Sequence, residues 1–157
     1  MNINLIQIGK TQDAYLTEGV ETYTTRLKHY VSYKTTTIPS LKNVGSLSLE
    51  QLKKKEGELI LKNIHPTDFA VLLDERGKEY RSTEFAGMLE KSMHSGKAQM
   101  VFIIGGAYGV SEEIKTRANQ TMSFSRMTFS HQMIRLFFVE QLYRAMSIIR
   151  KESYHHE

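Results

Sequence analysis

Apolar and polar positions alternate from Asn2 to Gly9 (NINLIQIG), a two-residue period that predicts a strand ended by glycine. Helix-permissive composition follows from Asp13 to His29. β-Branched residues then crowd Tyr33 to Pro39 (YKTTTIP), a second strand closed by proline. Ser48-Leu-Glu-Gln51 has the spacing of a capping box and opens a helix that reaches Ile64. Asp68 to Leu73 (DFAVLL) reads as a short apolar strand ending at Asp74, and Ser82 as the cap of a helix to His94. Gln99 to Ile104 (QMVFII) is the most strand-like run, broken by Gly105-Gly106-Ala107-Tyr108-Gly109. Ser111 then caps a helix whose first turn carries Glu112 and Glu113, where the helix dipole favours negative charge. Thr121 to Ser125 is a last short strand.

From His131 to Arg150 the pattern changes. This helix would be roughly 30 Å long at the standard rise, and it is apolar on nearly every face: Met133, Ile134, Leu136, Phe137, Phe138, Val139, Leu142, Ala145, Met146, Ile148 and Ile149. Arg135, Glu140 and Arg144 within it exclude a membrane span. A helix apolar all round has to be buried on several sides, by its own core and by a partner chain. Strands alternating with helices predict an α/β fold with a mostly parallel sheet flanked by helices. No linker, repeat or low-complexity segment interrupts the pattern, so residues 1–157 are expected to form a single domain.

Composition narrows the chemistry. With 157 residues, 40% of them apolar, the chain is long enough for one core and short for two. Mean hydropathy is −0.39, and neither a secretory nor a membrane-spanning segment is visible, which points to the cytoplasm. There is no cysteine. That excludes disulfides, thiolate metal sites and cysteine nucleophiles together. The histidines His29, His65 and His94 show no ligand spacing, so no metal is expected. Charge is unevenly placed: residues 1–114 hold 14 basic and 14 acidic residues, whereas residues 115–157 hold 7 basic and 3 acidic. The whole excess of +4 thus lies in the last quarter, with three of the six histidines. Such a local excess suits a polyanionic partner such as nucleic acid, or equally a solvated helix face. Lys53-Lys54-Lys55 reads first as solvated surface, with contact to RNA as the lesser alternative.

A strand, a glycine-rich turn and a helix form a common nucleotide-binding device, since glycine admits a ligand close to the backbone. The turn after Ile104 contains neither G-x-G-x-x-G nor the lysine of a P-loop, and it follows the fourth strand instead of the first. A plain structural turn is the alternative. Two glutamates just beyond it favour a neutral or cationic ligand over a phosphate. In a parallel sheet ligands gather at the C-terminal strand ends, here Leu73-Asp74, Gly105-Gly106 and the loop Phe124 to Phe129. Asp74-Glu-Arg-Gly77 has the composition of a turn as well.

The stretch Phe124-Ser-Arg-Met-Thr-Phe-Ser-His131, continued by Gln-Met-Ile-Arg135 and Glu140-Gln-Leu-Tyr-Arg-Ala145 and closing on Tyr154-His155, resembles the C-terminal signature of the RlmH family. Leu72-Leu-Asp74 with Gly77-Lys78, and Phe102-Ile-Ile-Gly-Gly106, match that family's two other segments, so the resemblance covers the whole chain. Ser130 and Ser153 stand where the family pattern has proline. The resemblance implies a SPOUT-class fold with a C-terminal trefoil knot, a homodimer, and S-adenosylmethionine as cofactor. It implies methylation of N3 of a pseudouridine in 23S ribosomal RNA, with the assembled ribosome as substrate. Carried over residue by residue, the cofactor site comprises Leu73, Gly105, Phe124, Ser125, Arg126, Met127, Thr128 and Phe129.

Individual side chains then take candidate roles. His131, at the start of the long helix, is a base or an RNA contact, or else a helix-end hydrogen-bonding group. Arg135 and Arg144 need partners if buried; Glu140 is one candidate, and phosphate or base contact is the other. Arg135 is assigned to catalysis, Arg126 and Arg144 to RNA binding. Tyr154 and His155, at a chain end where disorder is common, receive a substrate role only through the resemblance. Rival readings are the same fold acting on another RNA, a non-catalytic RNA- or ribosome-binding module, and a flavodoxin-like nucleotide binder.

Overall fold

A computed structural model describes residues 1–156. Five strands, β1 (Asn2–Ile8), β2 (Ser32–Ile38), β3 (Phe69–Glu79), β4 (Gln99–Ile103) and β5 (Gln120–Ser123), form one sheet in the order β2-β1-β4-β3-β5. Every pairing is parallel. A parallel sheet needs both faces covered, and alternate residues of β1 and β4 supply two cores. Ile3, Leu5, Met100 and Phe102 face α1 (Ala14–Leu27), α3 (Ser82–His94) and α5 (Met133–Ile149). Ile6, Ile8, Val101 and Ile103 face α2 (Leu49–Leu61) and α4 (Glu112–Arg117). The α/β expectation holds, and no helix among the described residues is long and apolar enough to cross a membrane.

Local rules account for most element ends. Ser48 Oγ accepts from Gln51 N at 3.2 Å and Gln51 Oε1 from Ser48 N at 2.9 Å, the reciprocal box read from the sequence. Ser82, in contrast, is the first residue of α3 and not its cap; the cap position is Arg81, whose N–H donates to Glu84 at 2.7 Å. The Ser82 hydroxyl instead donates to Gln141 of α5 at 2.8 Å.

Strand β3 departs most from expectation. It continues past Leu73 to Glu79, but leaves the ladder on the way: Leu73 and Lys78 both pair with Met122 of β5. Residues 74–77 therefore arch out as a bulge and rejoin the sheet. Gly77 makes the return possible, because a Cβ there would lie 2.6 Å from the Met122 nitrogen and the Thr121 carbonyl carbon.

Helix α5 is covered more fully by its own chain than its sequence suggests. Phe138, Val139, Leu142, Ala145 and Met146 are buried against the sheet, α1 and α3. Phe137 is exposed on its outer side and packs edge-on against Phe129, ring centroids 4.9 Å apart. Met127, on the same loop as Phe129, is exposed as well.

Candidate functional site

The C-terminal ends of β3 and β4 and the loop after β5 enclose one cavity of about 620 Å³. The bulge contributes Asp74, Glu75 and Arg76, and the glycine turn contributes Gly105 to Gly109. Leu73, Ile104, Met122, Phe124 and Ile134 give it apolar wall, and Ser125, Met127, Thr128 and Phe129 come from the loop. Seven of the eight residues expected to hold a cofactor thus share this cavity. Arg126 does not: its Nε donates to Glu79 at 2.8 Å, and it points away along β3.

The loop is held by its own polar groups. Ser123 Oγ is buried, accepts from Ser125 N at 3.1 Å and donates to Ser125 O at 2.7 Å. Thr128 Oγ1 donates to Glu75 at 2.5 Å. With the Arg126–Glu79 pair, that bond ties the loop to both ends of the β3 bulge. Glu75 and Glu79 are residues the sequence reading assigned no role.

Gly105 is needed by the turn itself as well as by any ligand. A Cβ there would lie 2.6 Å from Val110 Cγ1 and 3.0 Å from Gly109 O. At Gly106 a Cβ would meet the Glu56 carboxylate at 2.7 Å. Glu56 is buried behind the turn, and that burial holds its carboxyl above the ordinary glutamate range. If the cavity holds the S-adenosylmethionine that the resemblance implies, Gly105→Val is expected to weaken its binding roughly tenfold or more, with some loss of thermal stability because the turn must shift. Calorimetric titration checks this. Parent-like affinity in a folded variant would remove Gly105 from the binding site.

His131 lines the cavity at the foot of α5. Burial, and next the charge of Arg135, lower its pKa below the ordinary histidine value, so the imidazole is neutral at pH 7. Arg135 itself is wholly buried and lies outside the cavity. Its Nη2 donates to Ile8 O at 2.6 Å, its Nη1 to Gly9 O at 3.0 Å and Thr11 Oγ1 at 3.1 Å, and its Nε to His131 O at 3.1 Å. Burial draws its pKa down to about 10, which leaves it cationic at neutral pH. The structure places Arg135, for which a catalytic role is expected, away from the cavity as a clamp between the end of β1 and the foot of α5.

Tyr154 and His155 do not line the cavity of their own chain, and neither is loose. Tyr154 donates to Glu140 Oε1 at 3.0 Å, shares a 3.2 Å hydrogen bond with the Tyr23 hydroxyl, and packs edge-on to Tyr143 with centroids 4.7 Å apart. Burial and these two hydroxyl contacts raise the Tyr154 pKa, so its phenol stays protonated. Arg144 stacks over the Tyr154 ring at 4.6 Å, and its Nη2 reaches the same Glu140 oxygen at 2.5 Å. His155 Nδ1 lies 3.4 Å from Arg144 Nη1. One carboxylate oxygen therefore aims both Arg144 and Tyr154.

The basic excess of the last quarter is largely used within the chain. Arg117 donates to the carbonyls of His65 and Asp68, Arg126 pairs with Glu79, Arg144 with Glu140, and Arg150 donates to His29 O. With Arg135 buried, the cations bordering the cavity are Arg76 and two lysines that pair with glutamates a turn away, Lys53 with Glu50 and Lys115 with Glu112. Of the three, only Lys53 has an RNA contact among its expected readings. Among the described residues no group of three His, Asp or Glu side chains is arranged to hold a metal ion.

Comparison with known proteins agrees with this arrangement. A family model described as "Predicted SPOUT methyltransferase" matches residues 1–155. The chain is 53% identical over its full length, and that of the relative, to the ribosomal RNA large subunit methyltransferase H of Parabacteroides distasonis. It is 52% identical, again over both full lengths, to the protein of that name from Flavobacterium johnsoniae. Among solved structures it resembles a probable methyltransferase from Bordetella pertussis Tohama I, with a TM-score of 0.57 at 12% identity, covering 92% of this chain and 94% of that one. A putative methylase family protein from Neisseria gonorrhoeae gives 0.54 at 15% identity, covering 99% and 86%. At those identities the two structures speak for the fold alone. A parallel sheet whose strand ends and following loop close on one cavity, matched to the family from residue 1 to 155, makes this chain a member of the SPOUT methyltransferase family.

Proposed function

We propose that this chain transfers a methyl group from S-adenosylmethionine to N3 of a pseudouridine in 23S ribosomal RNA, acting as a homodimer on assembled ribosomes. The observation that carries the reading is the convergence of Leu73, Gly105 and the Phe124–Phe129 loop on one cavity, in a chain about half identical to proteins named for ribosomal RNA methylation. The cavity's volume lies within the range of small-molecule sites. Its apolar walls suit a flat base, and the Asp74 and Glu75 carboxylates suit a positively charged sulfonium. Bound there, the cofactor supplies a methyl group already activated on sulfur. The chain's own work is alignment and proton removal. His131, neutral and in the wall, accepts the proton that leaves N3 as the new N–C bond forms.

The homodimer is supported by the exposed ring pair of Phe129 and Phe137, which leaves apolar surface uncovered where the cavity loop meets α5. In a dimer the tail carrying Arg144, Tyr154 and His155 would complete the partner's cavity, which accounts for its absence from its own. The knot belongs to the same reading. It is supported by the course of the chain from β5, at one edge of the sheet, to a helix whose foot is bonded to the end of β1.

Methyl transfer to naked 23S RNA, isolated subunits and whole ribosomes, all prepared from cells lacking this enzyme, tests the proposal. Label is expected on whole ribosomes. Absence of label on every substrate, from protein that binds the cofactor, would leave a binding module in place of an enzyme.

A further inference from the structure

Tyr108 stands at the tip of the glycine turn, 61% exposed, and it lines the mouth of the cavity. Among the described residues its ring has no aromatic or cationic neighbour and its hydroxyl no hydrogen bond. Nothing in the fold needs it there. The turn beneath it is nonetheless well made: Gly109 N donates to Gly106 O at 3.1 Å, and Gly109 takes the left-handed φ of +90° that glycine tolerates. The ring is thus displayed on a short, braced support.

Three cations border the same cavity from three different elements: Lys53 from α2, Arg76 from the β3 bulge and Lys115 from α4, the two lysines each paired at 2.8 Å with a glutamate a turn away, Glu50 and Glu112, that phosphate would have to displace or share. Two of them lie close together. The Glu112 carboxyl is held below its usual range first by its hydrogen bond and ion pair with Lys115, and the charge of Lys53 adds to the effect. Arg76 has no side-chain partner among the described residues. A free aromatic face ringed by cations is the composition by which proteins hold single-stranded nucleic acid, bases stacking on the ring and phosphates meeting the charges.

We infer that Tyr108 is a stacking platform for a single-stranded RNA nucleobase at the mouth of the cavity, with Lys53, Arg76 and Lys115 holding the flanking phosphates. The inference rests on the reading that the cavity takes a methyl donor and the substrate is RNA. It adds where the RNA strand lies on the chain's own protomer, opposite the tail a partner would bring. Because every base has a flat face, this rim contributes affinity and leaves the choice of target base to other contacts.

The chain contains no tryptophan, so Tyr108→Trp places its one tryptophan at the rim, excited apart from the remaining tyrosines at the red edge of the absorption band. Titration with a uridine-rich single-stranded oligonucleotide is expected to quench its emission, less at high salt. S-Adenosylmethionine alone should leave the emission nearly unchanged. In parallel, Tyr108→Ala should raise KM for ribosomes about five- to a hundredfold, with cofactor affinity unaltered, and Tyr108→Phe should restore it. Quenching by the cofactor alone, with weakened cofactor binding in Tyr108→Ala, would assign the ring to the cofactor and overturn the inference. Unquenched emission with parent-like KM in Tyr108→Ala, in an enzyme that methylates ribosomes, would overturn it while sparing the function. Quenching by RNA in a protein that methylates nothing would do the reverse.

Discussion

Arg135→Met is expected to cost roughly 3–5 kcal/mol of folding stability, a large share of the 5–15 kcal/mol typical of a domain. The substitution keeps most of the side-chain volume, so little cavity opens. What it removes is the donor set that satisfies the carbonyls of Ile8, Gly9 and His131 and the Thr11 hydroxyl, the Ile8 bond fully buried and the other three partly so. A drop in Tm of roughly 10 °C follows from that cost at this chain length. Arg135→Lys sharpens the test. Lysine keeps the charge but has one compact donor group in place of a planar fork, and cannot serve four acceptors spread over two segments. It should therefore destabilise nearly as much as methionine. A stable, folded Arg135→Lys protein that had lost only methyl transfer would restore the catalytic role that burial argues against.

Removing residues 154–157 is expected to abolish methylation of ribosomes while dimer and cofactor affinity persist. Glu157 lies outside the described residues; the argument rests on Tyr154 and His155. The structure adds a stability cost that a loose tail would not have. The Tyr154 ring contact with Tyr143 and its hydroxyl bonds to Glu140 and Tyr23 together contribute about 1–3 kcal/mol. Mixing experiments separate the two effects. Heterodimers of the truncated chain with a Gly105→Val chain have one intact cavity facing one intact tail, so they should recover up to about half of parental activity if sites are shared between subunits. Recovery of nothing, from a mixture shown by light scattering to contain heterodimers, would place cavity and tail function in the same chain. Full activity of the truncated protein alone would withdraw Tyr154 and His155 as substrate residues.

How much of this was legible without coordinates depended on the range of the interaction. The strands β1, β2 and β4, the capped start of α2 and the long α5 follow from local periodicity and turn chemistry, which act within a few residues. The bulge in β3 was half visible. Its charges and glycine do mark a departure from the ladder, but only β5, more than forty residues later in the chain, brings the strand back. The surroundings of Arg135 were hidden for the same reason. Two of its acceptors are backbone carbonyls at the far end of the chain, those of Ile8 and Gly9, and a carbonyl has no signature in a sequence. Charge counting failed in a third way: it registers how many cations a segment holds, and not that Glu79, Glu140 and several backbone oxygens were waiting for them. The cofactor loop and the tail were legible only through resemblance. Apart from that, Phe124 to Phe129 is an unremarkable loop, and Tyr154 a residue near a terminus.

The Arg135 clamp also has a bearing on how the molecule is made. Its bond to Ile8 joins residues 127 positions apart, and Tyr23 meets Tyr154 across 131. Closing loops of that length carries a large entropic cost before any contact rewards it, which slows folding. Strand β1 has to wait, its end carbonyls open to water, until α5 has left the exit tunnel. The cavity is bounded partly by that helix, so no incomplete nascent chain can possess it. If the substrate is the ribosome, each copy becomes competent to act on that machine only once another has carried synthesis through α5.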